Sequence, residues 1–170
     1  MEITLRKVTD KNYQAISDLS VDQSQNLWVA PNSKTLLQAA YEPELNVMAI
    51  YQEENPVGLL LYDYDTDMGG WTLSRFMIDK HHQHKGIGRI ALNKFLIFFH
   101  NKYPTEKLYT SAETDNFPAQ TLYEQFGFEK KEEFSYINDG INFCEVKMVK
   151  KHLKKKKTDQ FYSLDKELTQ

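Results

Sequence analysis

The sequence predicts an α/β (α+β) domain: one mixed, mostly antiparallel sheet of six to seven strands, flanked by about four helices. Three observations predict it. Residues 46–52, 57–64 and 71–78 each read as strands, which makes a three-strand meander. A helix-period run from Gly86 to Tyr103-Pro104 then leads to another short strand; such a crossover makes two neighbouring strands parallel. Finally, Asn138-Asp139-Gly140 between two strand-like runs is a strong hairpin signal.

Taken in order, Ile3 and Leu5 alternate with polar residues as a half-buried first strand does. Thr9 and Asp10 offer N-caps for a helix that carries Tyr13, Ile16 and Leu19 on one face. Residues 25–32 are irregular, and Ser33 is expected to cap a short helix ending near Pro43. Glu53-Glu54-Asn55-Pro56 reads as the turn between the first two meander strands. In the long helix Ile87, Ile90, Ala91, Phe95, Phe98 and Phe99 recur at helical spacing. Residues 108–111 form a short strand. Pro118 fits the first turn of the next helix, and Gly127 stops it.

At 170 residues, with 41% apolar and 26% charged residues, the chain suits one globular domain over 1–149 and a Lys-rich tail over 150–170. The single cysteine, Cys144, permits no internal disulfide. Residues 1–10 lack an apolar h-region, and no apolar run is long enough to span a bilayer, so a cytoplasmic protein with no membrane partner is expected. Seven lysines and no acid lie between Lys147 and Lys157, and residues 158–170 add a net −2. With −3 overall, residues 1–146 carry −8. Such an acidic body speaks against nucleic-acid binding and favours a cationic small molecule. Solubility alone would also account for that charge.

Two segments carry chemistry. In Gln83-His84-Lys85-Gly86-Ile87-Gly88-Arg89, two glycines open a helix. Backbone N–H groups there can form an anion nest, with Lys85 and Arg89 as nearby cations. It lacks the third glycine of a dinucleotide fingerprint and the Gly-Lys-Ser/Thr of a Walker loop. In the second segment Asn116 follows a strand end, and Tyr123 lies seven residues on, along a helix. A tyrosine so placed can protonate a leaving group, although packing is the commoner role of a helical aromatic.

Together, Gln83, Gly86 and Gly88, then Asn116, Ala119, Leu122, Tyr123, Gly127 and Phe128 about thirty residues on, resemble the GNAT superfamily of N-acetyltransferases. The resemblance covers residues 1–149 and implies a GNAT-like fold. Residues 27–32, 56–62 and 71–79 look most like the bacterial polyamine (spermine/spermidine) acetyltransferase branch. It implies acetyl-CoA as cofactor, with no metal, and transfer of the acetyl group to a primary amine of a small cationic acceptor by direct attack in a ternary complex. Met77 and Ile78 would offer backbone groups to pantetheine at a splayed strand. The residues from Gln83 and His84 through Lys85, Gly86, Ile87 and Gly88 to Arg89 would hold pyrophosphate. Asn116 would hold the pantetheine arm, and Tyr123 would be the acid for the thiolate.

The acceptor amine must lose a proton before it attacks, so a base is required. Glu113, at the strand end before Asn116, is one candidate; Asp63, Asp65 and Asp67 are others, and also candidate anchors for distal ammonium groups. Trp28 and Arg75 complete the expected acceptor-binding set, from stretches shared with the polyamine branch. His81, His82 and His84 read as a polar loop rather than a metal site, and Cys144 as a packing residue. Acetylation of a protein or peptide, and a non-catalytic acyl-CoA-binding module, are the competing readings. A homodimer through the final hairpin's edge strand is a further expectation.

Overall fold

The computed structural model describes residues 1–151. The elements are β1 (Ile3–Lys7), α1 (Tyr13–Ser17), a 3-10 turn (Gln23–Gln25), α2 (Asn32–Tyr41), β2 (Asn46–Gln52), β3 (Asn55–Asp65) and β4 (Gly70–Ile78). They continue as α3 (Ile87–Lys102), β5 (Leu108–Glu113), α4 (Phe117–Gln125), β6 (Glu129–Asn138) and β7 (Ile141–Lys150). The seven strands lie in the order β1-β2-β3-β4-β5-β7-β6, within the expected six to seven. Every neighbouring pair is antiparallel except β4–β5. That exception follows from α3, because a helical crossover returns the chain in the same direction. The Lys-rich segment from residue 152 onward lies outside the described residues.

Each face of the sheet has its own core. One side packs Tyr62, Leu73, Phe95, Phe99, Leu108 and Tyr123 in a cluster that joins the sheet to α3 and α4. On the other, Ile16 of α1 meets Ala49, Tyr51, Leu59 and Met77, with Val29 and Leu36 beside them. Phe95 is wholly buried, and a side chain of that size contributes about 2–3 kcal/mol by leaving water. The alternation along β4 sends Phe76 and Ile78 to the α3 side and Met77 to the α1 side.

Two helix starts differ from expectation. The N-cap of α1 is Asn12 rather than Thr9 or Asp10; Asn12 instead turns its side-chain oxygen back to the Thr9 N–H at 2.7 Å. The N-cap of α2 is Pro31 rather than Ser33, and the Asn32 side chain donates to the Ile16 carbonyl at 2.8 Å. The first residue of α2 is thus tied across to α1 by a buried side-chain bond.

The sheet opens in its middle. β4 and β5 pair at only two positions, Thr72 with Tyr109 and Leu73 with Thr110. Just beyond, a register shift pairs Leu61 with Arg75 and Tyr62 with Leu73, leaving Ser74 as an extra residue on β4. A bulge of this kind bends its strand. β4 then runs along β3 to Ile78 while β5 follows β7 to Glu113, two residues further than the sequence pattern marked. The result is a V whose vertex is the Leu73–Thr110 rung.

Candidate active site in the open V between β4 and β5

A cleft of about 260 Å³ occupies the V. Phe76, Met77 and Ile78 of β4 line one wall, and Asn116, Pro118, Ala119 and Leu122 at the start of α4 line the other. The floor is the loop from His82 to Gly88, and residues 21–29 of the connection between α1 and α2 lie over it through Val21, Gln25, Trp28 and Val29.

The loop geometry suits an anion. Gly86, the N-cap of α3, has φ 78°, and His84 two residues earlier has φ 60°. No side chain caps α3, so its first-turn N–H groups remain available. Left-handed residues just before an uncapped helix form a nest of inward N–H donors, and the helix dipole adds to it. A Cβ at Gly88 would meet the Ile78 side chain at 3.6 Å, ordinary van der Waals contact, so the start of α3 packs beside β4.

Several expected cofactor residues are engaged within the protein. Gln83 donates through Nε2 to the Ile78 carbonyl at 2.9 Å and to Gln25 Oε1 at 2.8 Å. It braces the loop and the overlying connection while still lining the cleft. Lys85 Nζ donates to the His81 carbonyl at 2.7 Å. The Arg89 guanidinium bonds Gln125 Oε1 and lies 5.3 Å from the centre of the Phe126 ring. Neither cation faces the nest as a free charge, which leaves backbone donors as its main resource.

Asn116 caps α4, its Oδ1 accepting from the Ala119 N–H at 3.2 Å. That leaves its amide N–H groups for the cleft it lines. Tyr123 does not line the cleft; Leu122 does. The Tyr123 ring is buried beside Phe128, with its hydroxyl near Thr110, the β5 residue at the vertex of the V. Burial pushes its pKa up to about 12, so the hydroxyl keeps its proton at neutral pH.

On the β5–β7 side, Glu113 Oε2 accepts from the Cys144 N–H at 3.2 Å, whereas Oε1 is buried with no partner. Burial raises its pKa, as do the nearby Glu145 and Asp115, against the lowering effect of the Cys144 N–H. Glu145 itself accepts from Ser111 at 2.6 Å and Tyr136 at 3.1 Å. The Tyr136 hydroxyl is pushed above its ordinary range, first by burial and then by Glu145.

Of the remaining acceptor candidates Trp28 lines the cleft, whereas Arg75, Asp63 and Asp65 do not. Arg75 donates to Thr35 Oγ1 at 2.8 Å and Gln38 Oε1 at 2.6 Å, tying β4 to α2. Asp63 accepts from Ser74, the bulged residue; burial raises its pKa despite that bond. Asp65 is the last residue of β3, and its Oδ1 accepts from the Asp67 and Met68 N–H groups at 2.8 and 3.1 Å. It shapes the turn into β4. Trp28 donates Nε1–H to Asp115 Oδ1 at 3.0 Å.

Sequence reasoning missed Asp79, which is buried and organises the cleft's two loops. Its carboxylate accepts from the Ser20 N–H at 3.1 Å and the His81 N–H at 3.0 Å, and His82 Nδ1 lies 3.3 Å away. Burial alone would raise its pKa, but these donors hold it below the ordinary range. Its position just after a strand was a readable signal; its partner at Ser20 was not. No group of three or more His, Cys, Asp or Glu among the described residues is placed to hold a metal. No described helix is long and apolar enough to cross a membrane.

The model of the Acetyltransferase (GNAT) family matches residues 13–128. Two curated relatives align over 153 residues, 86% of this chain and 100% of theirs: a probable spermine N(1)-acetyltransferase of Bacillus subtilis subsp. natto (strain BEST195), 34% identical, and a spermine/spermidine N(1)-acetyltransferase of Bacillus subtilis (strain 168), 33% identical. Among solved structures, spermidine N-acetyltransferase from Vibrio cholerae in complex with CoA and spermine superposes with a TM-score of 0.69. It is 18% identical, over 88% of this chain and 95% of that one, a likeness of fold. The match spans the V on both sides, from α1 through the nest to α4, and so the chain belongs to the GNAT family and is an acetyltransferase.

Proposed function

We propose that this acetyltransferase moves the acetyl group of acetyl-CoA onto a primary amine of a small cationic acceptor, a polyamine such as spermine or spermidine, by direct attack in a ternary complex. The observation that carries this reading is the V itself. It has an anion nest at one end and a partnerless carboxylate oxygen, Glu113 Oε1, beyond its other wall. The curated relatives named for spermine and spermidine, and the −8 charge of residues 1–146, support a cationic acceptor.

The residues present fit the cofactor. The nest and the uncapped end of α3 would hold its pyrophosphate, the edge of β4 at Met77 and Ile78 that faces away from β3, where the Ile78 carbonyl already accepts from Gln83, would take its pantetheine arm, and the Asn116 amide would donate to that arm. Acetyl-CoA bound there supplies a thioester as acyl donor. Glu113 Oε1 takes the proton that the acceptor ammonium must lose before its nitrogen attacks. A carboxylate with a raised pKa is better matched to that task than an ordinary one. Tyr123, protonated at the vertex of the V but buried behind the cleft wall, would be the acid for the departing thiolate through a path past Leu122. A thiolate, far less basic than an alkoxide or amide, can also leave unaided.

The test is thiol release from acetyl-CoA by the purified protein with spermine, spermidine, a small diamine, an aminoglycoside and an N-terminal peptide offered in parallel. Turnover with the polyamines supports the reading. Turnover with the peptide alone, or tight acetyl-CoA binding with no turnover, overturns it.

A further inference from the structure

The connection between α1 and α2 is fastened on both sides of the V. On the β4 side Asp79 and Gln83 hold it at Ser20 and Gln25. On the β5 side a single side-chain bond does so, from Trp28 Nε1 to Asp115 Oδ1, across 87 residues of sequence. The indole thus stands in the cleft wall with a carboxylate at its edge. Asp115 is exposed and lies close enough to Glu113 to raise its pKa.

An indole face attracts a cation through its quadrupole, and an adjacent carboxylate adds a counter-charge. The Trp28–Asp115 bond fixes the ring plane in advance, so less freedom is lost when a cation docks against it. A carboxylate with one oxygen on the indole N–H keeps its second oxygen for a further donor. We propose that Asp115, with the Trp28 it positions, forms a subsite for a second ammonium group of the acceptor, the one that is not acetylated. The subsite selects acceptors carrying two or more cations over monoamines. It deepens the proposed function and rests on it for the reacting amine, but the docking of a cation at Trp28 stands apart from any turnover.

The conservative variant Asp115→Asn keeps an oxygen for the Trp28 N–H and removes only the charge. Its KM for spermidine rises about fivefold, the scale of an exposed cation–π and ion-pair contact. Its KM for hexylamine and its calorimetric Kd for CoA stay within about twofold of the parent. Trp28 emission provides the reading that needs no chemistry. The chain has two tryptophans, and the other, Trp71, is stacked on Tyr103 at 4.2 Å. Spermidine shifts the emission of the parent protein, hexylamine does not, and the shift is absent from Trp28→Phe and weakened in Asp115→Asn. Equal effects of Asp115→Asn on both amines, or none on either, overturn the subsite. A spermidine-induced shift without acetylation keeps the subsite and overturns the proposed function. Acetylation of spermidine with neither shift nor selective loss does the reverse, and absence of both shift and turnover overturns both.

Discussion

Glu113 and Glu145 stand directly opposite each other across the β5–β7 ladder, two carboxylates on one face of adjacent strands. Like charges so placed repel. The pair is asymmetric, since Ser111 and Tyr136 satisfy both oxygens of Glu145, while Oε1 of Glu113 has none. The sheet therefore concentrates the cost of ionisation on Glu113, whose pKa is raised.

That asymmetry predicts opposite effects on activity and stability. Glu113→Gln lowers kcat about 10²- to 10³-fold through loss of the proposed base, without lowering Tm at pH 7. For the parent, the sign follows from the raised value. The stabilising contribution of Glu113 is present below the ordinary carboxylate pKa of about 4.3 and is lost as pH rises through the raised folded value. The acid limb of kcat/KM, measured from pH 4 to 9, rises through that same value and disappears in the variant.

Tyr123→Phe slows turnover about tenfold rather than abolishing it, because the thiolate can leave without help. CoA affinity, read by calorimetry, stays unchanged, since Leu122 and not Tyr123 faces the cleft. The variant also removes a buried hydroxyl beside Thr110, a change of at most about 1 kcal/mol in urea unfolding.

Asp79→Ala strands donors at Ser20 and His81 and lowers stability by about 2–4 kcal/mol at pH 7. Asp79→Asn retains one acceptor oxygen and falls between the two. The folded pKa of Asp79 is depressed, so its stabilisation is present above the ordinary value of about 3.9 and fades as pH falls through the lower one. Urea midpoints of parent and Asp79→Asn therefore converge as pH is taken from 7 towards 3.

Gly58→Ala tests the β3–β4 approach. A Cβ at residue 58 would lie 2.4 Å from the Met77 carbonyl oxygen, a backbone atom that cannot swing aside. The expected loss is about 1–3 kcal/mol, with weakened CoA binding because Met77 forms part of the cleft wall.

The order of the elements was legible because periodicity and turn chemistry act over a few residues. The alternation of 46–52, 57–64 and 71–78, the helix after Gly86 and the Asn-Asp-Gly turn all specify local conformation, and each reappears as an element. The nest was legible for the same reason, since a glycine before a helix-period run fits the left-handed N-cap found at Gly86. Helix starts were less so: α2 begins at Asn32, buried and bonded to Ile16, rather than after a Ser33 cap.

By itself, then, the sequence determined an inventory of six to seven strands, the crossover that makes β4 and β5 parallel, and the residue types proposed for an acetyl-transfer site. Only the tertiary structure decided how those residues face. It turned Tyr123 into the core at the vertex, engaged Lys85 and Arg89 away from the nest, and left one oxygen of Glu113 unpaired. It also brought Trp28 to Asp115 and Ser20 to Asp79. The physical reason is range: helix and strand periods repeat within a few residues, whereas these pairings join positions dozens of residues apart and exist only once the sheet has set the order of its strands.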